Sequence, residues 1–367
     1  MPGLIGTFLD ALADRALAVA LWGADRLYRQ CASKTGYANP RVRHITGLGY
    51  SLRSYQIIWP NMRAWLADRR ALFPAVLQVQ TVNRCNATCP MCPYPYTIHL
   101  QPRQVMPDAL FSKIARECAA EPGLLDFVPM SKNEPLLDRK LAPRIAEFKG
   151  LAGPHQMVEI VTNGSLLTPE RFDRLAEAGV DLITVSVNAA DEATYAQVMA
   201  GLSWPRLMAN LDGIAARMHP QVNLFVRFVK QQGNRAQARR FAGQWRRRGF
   251  NVFAYDVNNR SGTVAGYDRL RLAKRRVVQG LRKRIGRWLF PVCPYAFSVA
   301  HVLENGDMPL CANDWHNREL LGNVGDTTIR AIFNSPRLNE IRALMEAGRY
   351  DEIAPCRDCS FRHDWLS

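Results

Sequence analysis

The chain has 367 residues, 48% of them hydrophobic, enough to build one large α/β domain and a smaller companion. Its formal net charge of +16 does not make it a nucleic-acid protein, because neither a glycine-rich hairpin nor the aromatic-bearing strands of such a module are present. Nine cysteines in a chain this long exclude the dense disulfide framework of a small secreted scaffold.

Seven of the nine, all but Cys31 and Cys118, fall into two sets with ligand-like spacing. Disulfide formation would destroy both sets, so a reducing, cytoplasmic setting is expected. Residues 1–70 form an N-terminal extension: a long amphipathic helix over 5–30, a Gly/Pro-marked loop, and a second helix around NMRAWLADRR. Asp10, Asp14, Arg15 and Asp25 interrupt the apolar runs, so neither a signal peptide nor a transmembrane segment is expected there. Packing on the main domain or on a partner is the expectation, with a membrane-surface helix as the alternative.

From residue 75, β-like runs alternate with amphipathic helices. The runs are AVLQVQ (75–80), LLDFVP (124–129), MVEIVTN (157–163), LITVSVN (182–188), VNLFVRFV (222–229) and NVFAYDV (251–257). Helices are expected near 107–119, 137–149, 168–178, 190–218 with a break at Trp204-Pro205, and 232–247. Strands separated by helices of this length predict parallel βαβ units and an α/β fold. Two basic stretches, Arg235 to Arg248 and Arg269 to Arg287, are expected as solvated helix faces.

Directly after the first run lies CNATCPMC, which places Cys85, Cys89 and Cys92 in a C-x3-C-x2-C array. Thiolates select Fe–S, zinc or copper over hard cations. Structural zinc sites take their ligands as two short pairs, whereas three thiolates with no fourth neighbour leave one corner of a cubane cluster open. The array resembles the cluster motif of the radical S-adenosylmethionine (SAM) enzymes, C-x3-C-x-Φ-C, with Met91 in the Φ place. That resemblance implies a partial (β/α)6 barrel over 71–265. It also implies a SAM-binding [4Fe-4S] cluster on Cys85, Cys89 and Cys92, and an external one-electron donor such as flavodoxin or ferredoxin.

The resemblance extends to the strand ends, where barrel active sites gather. Lys132-Asn133-Glu134-Pro135 stands where family members have Gly-Gly-Glu-Pro, which implies that Glu134 meets the SAM ammonium. Asn163 ends strand three. Ser186 and Asn188 share one face of strand four and resemble ribose-contacting positions. Arg227 in strand five suits the SAM carboxylate, since a buried arginine needs a bidentate partner. Asp256 and Asn258, with Arg260, lie in DVNNRSG, which resembles an Asn-Arg-x-Gly segment of members with C-terminal extensions. A satisfied structural network is the alternative for these polar residues.

Residues 266–367 hold a basic linker helix and the second set, Cys293, Cys311, Cys356 and Cys359. Four soft ligands with a C-x2-C knuckle can close a zinc site as well as a cluster. The stretch resembles a SPASM extension: Gly306 to Cys311 in G-x4-C spacing, a hairpin, a Gly-Asn-Val turn and a following helix. It lacks the final C-x5-C-x3-C, so the resemblance implies a small α+β domain with one auxiliary [4Fe-4S] cluster. The expected activity is that of an oxidoreductase in natural-product biosynthesis. A radical made from SAM abstracts hydrogen from a small polar intermediate (a sugar, an aminocyclitol or similar), and the auxiliary cluster accepts the remaining electron. Lys132 is the expected catalytic base. A peptide substrate, or redox-neutral epimerisation with Cys118 or Cys31 as hydrogen donor, are the alternatives.

Overall fold

The structure, a computed structural model, describes residues 57, 60–62, 64–100, 104–217, 219–273 and 292–363. The expected helix 5–30, Cys31 and most of the basic stretch 269–287 lie outside them. Residues 60–62 and 64–68 are helical, and Trp65 buries its ring edge-on against Phe297 at 5.9 Å.

All six expected strands form. In order they are β1 (Val76–Val79), β2 (Asp126–Val128), β3 (Met157–Thr162), β4 (Leu182–Ser186), β5 (Asn223–Lys230) and β6 (Asn251–Asp256). The connecting helices are α1 (Asp108–Ala119), α2 (Leu141–Leu151), α3 (Pro169–Glu177), α4 (Glu192–Val198), α5 (Trp204–Ala215) and α6 (Ala238–Arg247). Every strand pair is parallel, in the order β6-β5-β4-β3-β2-β1. Strands covered on both faces read as continuous apolar runs, and in LITVS only the last residue is not fully buried. Phe127 of β2 stacks on Phe148 of α2 at 4.1 Å and meets Phe111 of α1 edge-on at 6.0 Å. Burying one such side chain contributes about 1.5–3 kcal/mol.

Two expectations change. The break in the long helical stretch precedes Trp204 instead of falling at Trp204-Pro205. α4 ends at Val198, Gly201 turns the chain at φ +84°, and Ser203 caps α5 by accepting from the Arg206 N–H. Pro205 therefore sits in the first turn, where its missing N–H costs no bond. The sheet also has a seventh strand. β7 (Val299–Val302), from the C-terminal segment, pairs in parallel with β1 and covers an edge whose backbone groups would otherwise lie unpaired.

The remaining C-terminal elements are β8 (Asp307–Pro309), β9 (Leu320–Asn323), α7 (Ile329–Phe333) and α8 (Pro336–Glu346). β8 and β9 pair antiparallel. α8 buries Arg342, whose Nε donates to the Ala296 carbonyl at 2.9 Å. The smaller, β-containing, cysteine-bearing region is thus continuous with the main sheet through β7.

Candidate functional site

The loop 85–92 leaves β1 and is fastened at two points. The Thr88 N–H donates to the Ala200 carbonyl at 2.8 Å. A Cβ on Gly201 would lie 3.2 Å from Thr88 Oγ1, so glycine keeps that approach open. On the other side, Asn163 Nδ2 donates to Asn86 Oδ1 (2.8 Å) and Asn86 Nδ2 donates to Ser165 Oγ (2.9 Å). Inside the loop the Cys92 N–H donates to the Cys89 carbonyl at 3.0 Å. Cys85, Cys89 and Cys92 all line one cavity at the end of the sheet, with Met91 beside them. Burial pushes the Cys85 thiol up to about 12 and raises Cys89 and Cys92 as well; neighbouring charges oppose ionisation of Cys85 and Cys89 further, whereas the Tyr94 backbone and Arg260 favour that of Cys92. Three such thiols need a cation to ionise against, which a thiolate-binding iron centre supplies.

The cavity walls come from the strand ends. Glu134 is buried and begins a turn of 3-10 helix, its Oε1 accepting from Thr162 Oγ1 (2.6 Å) and the Leu136 N–H (3.2 Å). Its Oε2 accepts from the Asn163 N–H at 2.8 Å. Burial outweighs these bonds and raises the carboxyl to about 7. Neither Lys132 nor Asn133, at the places of the family's glycines, has a positive φ, so this backbone path needs no glycine.

Arg227 of β5 donates from Nη2 to Ser186 Oγ (2.8 Å), and its guanidinium lies 5.9 Å from the Tyr255 ring centre. Arg227 Nε is buried and has no partner among the described residues. Asn188 has φ +61°; its Oδ1 accepts from the Val229 N–H at 2.8 Å, and its Nδ2 faces Met199 Sδ. Ser186, Asn188, Arg227 and Asn258 line the cavity together with Glu134 and Asn163.

Two expected site residues are not in that wall. Asp256 pairs with Lys230 at 2.8 Å. Lys132 is buried with its Nζ turned to the C-terminal segment, donating to the Asp314 carbonyl (2.5 Å) and to Asn317 Oδ1 (2.7 Å). Burial lowers Lys132 to about 8, against the pull of Asp314 and Cys311. The same lysine and burial push the nearby His301 down to about 3.

The second thiol set forms where β7, β8 and the end of the chain meet. Cys293 precedes β7 and Cys311 follows β8, while the Cys359 N–H donates to the Cys356 carbonyl at 3.2 Å to close the knuckle. Burial, reinforced by the other thiols of the set, raises Cys356 and Cys293, and Cys311 to about 12. Four thiols within electrostatic reach of one another supply the number and kind of donors that a fully ligated cluster takes. The knuckle docks on the segment after β6. The Ser360 N–H donates to Asn259 Oδ1 (2.8 Å), the Asn259 N–H donates to Ser360 Oγ (3.0 Å), and Asn259 Nδ2 donates to the Asp358 carbonyl (2.5 Å).

Sequence reasoning missed Trp315 and Tyr255, which also line the cavity. Trp315 comes four residues after Cys311, so the segment carrying the second thiol set contributes to the cavity wall. Only the position of a tryptophan just past a ligand cysteine hinted at this. Among the described residues no three His, Cys, Asp or Glu side chains converge as ligands of a single ion. The first three thiols border a space, as a cluster held at its separate corners requires.

Comparison with known proteins follows this division. Residues 79–227 match the radical SAM superfamily, and residues 293–360 match the SPASM iron-sulfur cluster-binding domain. The GTP 3',8-cyclase of Synechococcus sp. (strain CC9902) is 38% identical over 129 residues, 35% of this chain and 35% of that one. The chain spans roughly two fifths or less of the length of the first curated relatives it matches. Among solved structures, Streptococcus suis SuiB bound to the precursor peptide SuiA superposes with a TM-score of 0.62 at 12% identity, covering 86% of this chain and 74% of that one. BtrN in complex with AdoMet and 2-DOIA gives a TM-score of 0.54 at 18% identity, covering 79% and 94%. At such identities these likenesses speak for the fold alone.

Proposed function

Because the chain is a radical SAM enzyme with a C-terminal SPASM auxiliary-cluster domain, we propose that it oxidises a small polar molecule by two electrons, consuming one SAM per product. One observation carries the reading: the cavity bordered by Cys85, Cys89 and Cys92 is also lined by Trp315, from the loop that begins at Cys311. A molecule held over the first thiol set therefore meets the loop that follows Cys311 of the second. When bound, the two clusters and SAM supply a one-electron reductant, a 5′-deoxyadenosyl radical and an electron acceptor, which together take a hydrogen atom and then an electron from the substrate.

The chain's own residues bind and orient. Glu134 receives the SAM ammonium and Arg227 the carboxylate, each as a charge-assisted bond that fixes its orientation. Ser186 and Asn188, on the same strand end, face the ribose, with Asn163 and Asn258 at the rim. Lys132 holds the Trp315 loop through Asp314 and Asn317, which places that part of the wall. After a hydrogen atom leaves the carbon and an electron leaves the resulting radical, loss of the proton from the hydroxyl or amino group on that carbon completes the C=O or C=N bond of the product. BtrN, described with AdoMet and 2-DOIA, shows that this fold accommodates SAM with a small molecule, which supports the small-molecule reading. A ferredoxin or flavodoxin is the proposed electron donor, and the cytoplasm the proposed location.

The test is anaerobic reconstitution followed by turnover in heavy water. Dehydrogenation predicts 5′-deoxyadenosine in equal amount to a product about two mass units lighter than the substrate. A product that keeps the substrate mass in ordinary water and gains one deuterium in heavy water would mean epimerisation instead. Cys118, the described candidate for a donor thiol, is fully buried in the core and absent from the cavity wall.

A further inference from the structure

Valines and methionines make up much of the cavity wall, and its charged side chains are few. Glu134 is its one carboxylate, and both oxygens already accept hydrogen bonds from the protein. Two arginines line it, Arg227 and Arg260. The proposed function uses Arg227 for the SAM carboxylate and leaves Arg260 over. Arg260 Nη1 donates to the neutral Asn313 side chain at 3.0 Å, so its charge is not matched by that partner.

Two further cavity residues are buried with a donor that has no partner among the described residues. They are Trp315 through Nε1 and Asn133 through Nδ2, with only 7% and 8% of their surfaces exposed. A buried N–H without a partner costs free energy that a ligand acceptor would recover.

The chain invests in placing Arg260. Arg260, Ser261 and Gly262 take φ of 47°, 56° and 81° in succession, a left-handed run that only surrounding bonds can sustain. Asn258 Oδ1 accepts from the Arg260 N–H (3.0 Å), and Arg318 Nη2 donates to the Ser261 carbonyl (3.1 Å). Arg260 lines the same cavity as Cys92 of the first set and bonds Asn313, two residues past Cys311 of the second. It therefore joins the cavity wall to the loop that follows Cys311.

We infer that the substrate carries an anionic oxygen group, a carboxylate or a phosphate ester, which Arg260 binds together with the N–H groups of Trp315 and Asn133. The inference rests on the proposed function and narrows its substrate class to acidic small molecules. A substrate ammonium at this end would meet the arginine charge and be rejected. The overall charge of +16 attracts the same class over longer range.

The test titrates SAM-loaded, reconstituted holoenzyme by calorimetry with inorganic phosphate, malonate, glucose and glucosamine. Saturable binding of phosphate or malonate is expected, and the stronger of the two names the group; glucosamine should bind no better than glucose. Arg260→Met should weaken the anion about tenfold or more, as loss of a charged hydrogen bond implies, and Arg260→Lys should weaken it less. Trp315→Phe, which keeps a ring and deletes the N–H, should weaken it about threefold or more. Failure of both anions to saturate the wild type overturns the inference, as does a preference for glucosamine or anion affinity unchanged in Arg260→Met. If Arg260→Met does not fold, unchanged affinity in Trp315→Phe overturns it equally. Iron content and 5′-deoxyadenosine formation by the same wild-type preparation test the underlying reading separately.

Discussion

At the scale of single residues, Glu134 is the most exposed to test. Burial holds its carboxyl near 7, above the ordinary range, so the folded protein keeps it protonated at pH values where a free glutamate is ionised. Binding a cation requires the ionised form. SAM affinity should therefore rise from about pH 6 to about pH 8 in the wild type, since the group ionises over that window, and lose this dependence in Glu134→Gln. At about pH 8 the substitution should cost on the order of 1–3 kcal/mol of SAM binding, and Arg227→Ala a similar amount. Calorimetry on the reconstituted protein measures both; pH-independent affinity in the wild type would remove Glu134 from the ammonium site. Glu134 was legible because a carboxylate followed by proline survives in the motif. Its saturation by Thr162, Asn163 and Leu136 was not, because those partners come from another strand and from a local turn.

At the scale of elements, the segment after β6 joins two chemistries. Asn258 and Arg260 face the cavity while Asn259, between them, grips the Cys356–Cys359 knuckle with three hydrogen bonds. Asn259→Ala removes two of these and leaves the Ser360 N–H without its acceptor, a loss of about 1–3 kcal/mol in docking. The expected outcome is a knuckle that releases iron faster to a chelator, while the iron held by Cys85, Cys89 and Cys92 stays. Equal loss from both sets would show that the residue supports the whole fold instead. A cap in the same region gives a control that stability alone should move: Ser335 accepts from the Leu338 N–H at the start of α8, and Ser335→Ala should cost about 1 kcal/mol in thermal unfolding.

At the scale of the molecule, the two thiol sets predict an iron count. Reconstituted protein should hold about eight irons, four per cluster, and replacing Cys85, Cys89 and Cys92 by alanine should leave about four. Replacing Cys293, Cys311, Cys356 and Cys359 should also leave about four, with SAM cleavage partly retained and product formation lost. Zinc in the second set, found by elemental analysis, would end its role as electron acceptor. Among the described residues no helix is long and apolar enough to cross a membrane. α6 buries Phe241 and Trp245 and carries arginines, of which Arg240 pairs with Asp191, and Arg248 just beyond it pairs with Asp212. That part of the positive charge is a solvated helix face.

What the sequence determined by itself was local. Hydrophobic runs of strand length and ligand spacings such as C-x3-C-x2-C are set by neighbours within a few residues. Six strands, their parallel order and both cysteine sets could therefore be read directly. What only the tertiary structure decided joins parts far apart in the chain. β7 reaches β1 across more than two hundred residues, a pairing that a four-residue VAHV run cannot announce. Lys132 is the clearest case. Its place beside Glu134 suggested a group facing the cavity. The structure turns its Nζ to Asp314 and Asn317, because a buried ammonium goes where oxygen acceptors satisfy it, and those acceptors arrive with the C-terminal loop. The same loop brings Trp315 to the cavity, so that part of the wall of the site is decided by packing between segments that share no local pattern.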